Sequence, residues 1–185
     1  MGGAPCIASR SRDSLVELVL AISGASSSGK STLSRGLLDE LGGSVRAFGA
    51  VVESESLRRG RSSAKEDLQE TGVDLISEGW DSFVRLLLSP APTSNTLIVD
   101  GIRHRAAIDE LSRQLPGARL VHVHVATPRQ VLVERTIARG EDVTLLDHAV
   151  EAELPEVARD ADVVVQGDGD PAANRAAVLS IVLSV

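Results

Sequence analysis

Gly24-Ala25-Ser26-Ser27-Ser28-Gly29-Lys30-Ser31-Thr32 decides how this chain is read. The spacing is G-x-x-x-x-G-K-[ST], the pattern of a loop that cradles phosphate. Its glycines let the backbone curl so that successive N–H groups face an anion. Lys30 is placed to reach the outer phosphates of a nucleoside triphosphate, and the Ser31 hydroxyl to hold Mg²⁺. The flanks agree. Leu15 to Ile22 is an apolar run of strand length, and Leu33, Leu37, Leu38 and Leu41 repeat at helical spacing until Gly42-Gly43. Strand, glycine loop and helix form the setting that such a loop requires.

Outward from this unit, strands and helices alternate. Further strands are expected over Ser44–Phe48, Thr96–Val99, Arg119–Val125 and Ala161–Val165. Helices are expected over 51–59, 64–77, 80–88, 105–115, 129–139, 145–158 and from 172 onward, with Thr127 as the cap and Pro128 as the first residue of the fifth of these. Such alternation predicts an α/β fold, a parallel sheet with helices on both faces. Residues 1–13, small and polar and including the lone Cys6, are expected to be a loose tail before a single domain at 14–185. The stretch 51–92 is longer than a crossover needs and is expected to be a helical insert over the ligand cleft.

Composition narrows the partners. A net charge of −7, one Trp, two Phe and no Tyr argue against a nucleic-acid surface. A single cysteine fits a reducing compartment, and no apolar run approaches membrane-spanning length. A cytoplasmic monomer or homodimer acting on a small-molecule acceptor is expected.

Ligands of open α/β sheets bind at the carboxyl ends of the strands, where Asp100 and Gly167-Asp168 fall together with the loop. Asp100 is the candidate for orienting Mg²⁺, and Arg103, three residues on, for holding an anionic acceptor or the transferred group. Arg135 and Arg139 share a helix face and suit a polyphosphate clamp. Glu53 and Arg58, in a charged stretch with Glu55, Arg59 and Arg61, are candidates for acceptor binding. His122 and His124 share a strand face without a third metal ligand and read as buried sheet histidines. Trp80 reads as core or cleft lining. No Asn-Lys-x-Asp base reader follows a strand, which argues against a GTPase. Gly101 stands where a motor ATPase carries its water-activating acid. Transfer to an acceptor other than water fits better.

Val99-Asp100-Gly101-Ile102-Arg103 is similar to the Asp-Gly-Phe-Pro-Arg segment of adenylate kinases, and closer to the Asp-Gly-x-Arg of dephospho-CoA kinase-like enzymes. Phe48-Gly49, Leu68-Gln69-Glu70-Thr71-Gly72, Glu134-Arg135 through Arg139-Gly140 and Ala161–Val165 follow in the order found in the same group. The chain thus resembles the nucleoside monophosphate kinase-like superfamily of P-loop kinases. The resemblance implies a three-layer P-loop NTPase fold with a five-stranded sheet of order 2-3-1-4-5, a short lid at about 135–150, and use of ATP and Mg²⁺. It implies that the loop amides and Lys30 hold phosphates, that Arg135 lies over the adenine or phosphates and Arg139 contacts phosphate, and that residues 51–80 receive the acceptor. A nucleoside monophosphate is the first expectation. Dephospho-CoA kinase activity and a nucleotide-binding regulator with little turnover are the alternatives.

Overall fold

Val19, Leu20, Ala21 and Ile22 are at most 1 % exposed. A strand buried on both faces belongs inside a parallel sheet covered on each side by helices. That strand, β1 (Leu18–Ser23), is central among five parallel strands. The others are β2 (Ser44–Ala47), β3 (Thr96–Ile102), β4 (Arg119–Ala126) and β5 (Val163–Gln166), in the order β2-β3-β1-β4-β5. Ile22 lies opposite Asp100 of β3, and Ser23 opposite His124 of β4. Connections run in opposite senses on the two sides of β1, so a crevice opens at its carboxyl end. The computed structural model describes residues 15–147 and 153–184.

Two apolar layers fill the faces of the sheet. On one side α1 (Lys30–Leu41) and α8 (Pro171–Val182) close over Leu20, Ile22, Ile98 and Val123 through Leu33, Leu37 and Val178. On the other, α4 (Trp80–Leu87) and α5 (Arg105–Gln114) cover Val19, Ala21, Leu97 and Val99 through Phe83, Val84, Leu87 and Leu111. Each fully buried aliphatic side chain is worth about 1.5–3 kcal/mol of transfer free energy. Three helices stand between β2 and β3: α2 (Phe48–Arg58), α3 (Lys65–Glu78) and α4. Arg59 and Arg61 at the end of α2 pair with Asp74 of α3, and Arg59 also reaches Glu78.

Boundaries shift for local reasons. β1 begins at Leu18, because the amides of Glu17 and Leu18 are both taken by the Asn95 carbonyl. β3 continues through Asp100 and Gly101, where Gly101 adopts φ +88° and the register with β1 slips between Ile22 and Ser23. Of the helix expected over 145–158, the described parts are a 3-10 turn, Val143–Asp147, and α7 (Leu154–Arg159) with Pro155 in its first turn, while 148–152 lie outside the described residues. Proline suits a helix start and breaks a helix interior. The expected tail 1–13, Cys6 and the end of the expected lid, 148–150, lie outside the described residues. Among the described residues no helix is long and apolar enough to cross a membrane.

Candidate active site

The turn after β1 is shaped by close approach. Gly24 has φ +140°, and a Cβ there would meet the Val125 carbonyl oxygen at 2.7 Å. Lys30 opens α1 and donates from Nζ to the carbonyls of Gly24 at 2.9 Å and Ala25 at 2.6 Å, folding over the loop it belongs to. The next residue, Ser31, is exposed and donates from Oγ to Asp100 Oδ2 at 2.8 Å. Asp100 is 8 % exposed, and its Oδ1 is buried with no partner among the described residues. A hydroxyl oxygen and a carboxylate with an uncommitted oxygen, side by side at the mouth of a phosphate loop, fit a hard divalent cation. Magnesium is the ion such a loop implies, and the donor set suits it.

A polar clamp lies beneath the loop. Ser23 Oγ sits 2.7 Å from His122 Nε2 and 2.9 Å from His124 Nδ1, all three residues being buried. A hydroxyl has one proton to give, so at least one ring must donate to Oγ while the other can accept. Burial pushes both imidazoles below their ordinary value of 6.5; His122 and Lys30 lower His124 further, and Asp162 partly opposes the shift of His122. The stability these neutral rings contribute is therefore fully present above about pH 6.5. It is lost as pH falls through the lower folded-state values, because the unfolded chain binds the protons first. The thermal midpoint is expected to drop between pH 7 and pH 5, and His122→Gln to flatten that slope. An unchanged slope in the variant would contradict the assignment.

Arg135 braces the loop from the other side. Its Nη1 approaches the carbonyls of Ser27 (3.4 Å) and Ser28 (3.3 Å), and its Nη2 donates to the Gly167 carbonyl at 2.9 Å. Arg139, at the end of α6 (Arg129–Ala138), is exposed and contacts Ser27 Oγ at 3.4 Å. Thr127 does not cap α6. Pro128 holds the cap position, and the Thr127 hydroxyl donates to the Ser28 carbonyl at 3.0 Å. Gly167 is needed where it stands, since a Cβ would come within 2.2 Å of that same Ser28 oxygen. These groups border a cavity of about 440 Å³ lined by Ser27, Gly29, Thr32, Arg135, Arg139 and Gly167 among others. Asp168 is exposed and outside this lining, between Gly167 and Gly169, which belong to it.

A second cavity, of about 420 Å³, opens on the opposite side of the loop. Ser26, Ser31, Asp100 and Arg103 form its loop end, and Lys65, Gln69 and His104 its other polar groups. Its apolar wall holds every aromatic residue in the chain. Phe48 meets Trp80 and Phe83 edge-on, and Trp80 stacks on Phe83 with centroids 5.6 Å apart. Glu53 and Arg58 do not line it. Val52 faces the cavity, and Glu53, about 100° further round α2, is exposed. Arg58 is exposed too and turns back to Glu55, at 2.6 Å. The charged stretch after and within α2 braces α2 against α3, and the cations that line the cavity are Arg103 and Lys65. Among the described residues no cluster of His, Cys, Asp or Glu could hold a metal ion through three or more such side chains.

The fold and the loop define a P-loop kinase-like protein. Comparable folds are a shikimate kinase from Aquifex aeolicus (TM-score 0.59, 17 % identity, covering 91 % of this chain and 100 % of that one) and a gluconokinase from Sinorhizobium meliloti (TM-score 0.56, 20 % identity, covering 91 % and 92 %). Residues 17–164 match the chloramphenicol phosphotransferase-like protein family, and the chain belongs to it. A UPF0200 protein from Aeropyrum pernix is 29 % identical over 154 residues, 83 % of this chain and 78 % of its relative.

Proposed function

We propose that this protein is an ATP- and Mg²⁺-dependent kinase for a small acceptor carrying a flat apolar ring. The observation that carries the reading is the junction of the two cavities at the phosphate loop. Ser27, Gly29 and Thr32 border one, Ser26 and Ser31 border the other, and Asp100 stands at the second. A donor triphosphate on one side and an acceptor on the other would meet across Lys30.

In this reading the loop amides and Lys30 hold the donor phosphates, while Arg135 and Arg139 flank the rest of the nucleotide. Ser31 and Asp100 would hold Mg²⁺, which supplies positive charge to the phosphate oxygens. Phe48, Trp80 and Phe83 flank the acceptor ring, and Arg103 and Lys65 suit an anionic or strongly polar substituent. Catalysis of phosphoryl transfer rests mainly on such positioning and charge neutralisation. A nucleoside monophosphate, dephospho-CoA and chloramphenicol, the compound in the family's name, each pair a ring with a phosphoryl-accepting oxygen.

The test is ADP formation with these acceptors added singly, and with gluconate as a ringless comparison. At least one ring-bearing acceptor is expected to raise turnover above the rate with water alone, and gluconate to leave it unchanged. Nucleotide binding without stimulation by any acceptor would point instead to a regulator with little turnover.

A further inference from the structure

We propose that His104, held by Glu153, is the base that receives the proton of an acceptor hydroxyl, so that the acceptor is an alcohol and not a phosphate. This rests on the kinase reading above and narrows it. His104 lines the acceptor cavity immediately before α5. Its Nδ1 lies 3.0 Å from Glu153 Oε2, at the start of α7. Its ring leans on Trp80 with centroids 5.3 Å apart. The other nitrogen, Nε2, is buried and has no partner among the described residues.

These contacts fix the chemistry of the ring. With Nδ1–H donated to the Glu153 carboxylate, a neutral imidazole carries its lone pair on Nε2. The same carboxylate would stabilise the imidazolium once Nε2 takes a proton. The competing polar groups of the cavity are poorly suited. Lys65 and Arg103 offer hydrogen-bond donors, and serine hydroxyls and the Gln69 amide are poor proton acceptors. Asp100 already accepts from Ser31 and is the carboxylate placed for the cation. His104 is left as the group able to take a proton beside the acceptor.

The step balances. The acceptor O–H proton passes to His104 Nε2, and the freed oxygen pair forms the new bond to the γ-phosphorus. The bond from that phosphorus to its bridging oxygen breaks, its electron pair leaves with ADP, and His104 later returns the proton to water. A phosphate acceptor needs no such base, because its second ionisation lies near pH 6 and a bare oxygen is already available.

Matched acceptors test the idea: adenosine against AMP, cytidine against CMP, and chloramphenicol as a further alcohol. Transfer to one or more of the alcohols is expected in the wild type. His104→Gln should lower kcat by about 10²–10⁴-fold. Its thermal stabilisation by Mg²⁺·ADP should persist, which shows that the variant folds. Glu153→Gln should cause a smaller fall, partly restored in Glu153→Asp. Nitrogen-15 NMR of labelled histidine should show the Nδ1–H tautomer at His104, lost in Glu153→Gln. A bystander packing role for Glu153 would not move that tautomer. Transfer to the monophosphates alone, wild-type kcat in His104→Gln, or an Nε2–H tautomer would each overturn the proposal while leaving the kinase reading intact. Absence of turnover with every acceptor in the wild type would remove the kinase reading, and this proposal with it.

Discussion

Lys30→Ala is expected to lower acceptor-stimulated ADP formation on the order of 10³-fold while the protein stays folded. The size follows from the position. Lys30 is the cation of the loop between the two cavities, and its Nζ rests on the carbonyls of Gly24 and Ala25. In the proposed reaction, a charge held there in advance would act where negative charge moves during transfer, in a site partly shielded from water. Folding should tolerate the change, because the Gly24 and Ala25 carbonyls lie at a half-buried edge and alanine favours the first turn of α1. The measurement is a rate together with a thermal midpoint. Full turnover in Lys30→Ala would sink the assignment of this loop to phosphate.

Asp100→Asn should cost about 10²–10³-fold in turnover by a different route. The amide oxygen can still accept from Ser31, so the local hydrogen bond survives. What disappears is the anionic charge that makes the pair attractive to a hard cation. In the native protein this carboxylate is 8 % exposed, with one oxygen unpartnered among the described residues. Removing a buried, half-satisfied charge does not threaten folding, so the thermal midpoint without ligands should hold or rise. The added stabilisation from Mg²⁺·ADP should fall, since binding to the native state is what supplies it. A variant that retains both Mg²⁺-dependent stabilisation and turnover would show that Asp100 serves another purpose.

Local chemistry was readable from the sequence, and long-range pairing was not. Residues 24–32 announce themselves because their spacing, their strand and their helix lie within one short segment. The parallel sheet follows from alternation, and its order was implied by resemblance. Glu53 and Arg58 lie off the cavity lining, and composition does not reveal this because it does not reveal helix phase: one residue from Val52 the side chain is already exposed. Arg58 meets Glu55 on its own helix. Ser23 carries no signal in the sequence, because its contacts are with His122 and His124, 99 and 101 residues away. Thr127 looked like a helix cap because its sequence context fits one, yet its hydroxyl donates a hydrogen bond to the Ser28 carbonyl that the fold brings beside it. The Glu153 partner of His104 is likewise supplied by a distant helix.

Trp80 is the sole tryptophan of the chain and stands in the wall of one cavity only. The protein therefore carries its own fluorophore in the cavity proposed for the acceptor, with nothing to attach and no background from a second indole or any tyrosine. A compound entering beside Phe83 would change the surroundings of that indole directly, whereas a nucleotide bound as proposed on the Arg135 side of the loop would not touch it. Emission titrated with each ligand separately can then tell which half of the site has filled, and in what order, before any product is made.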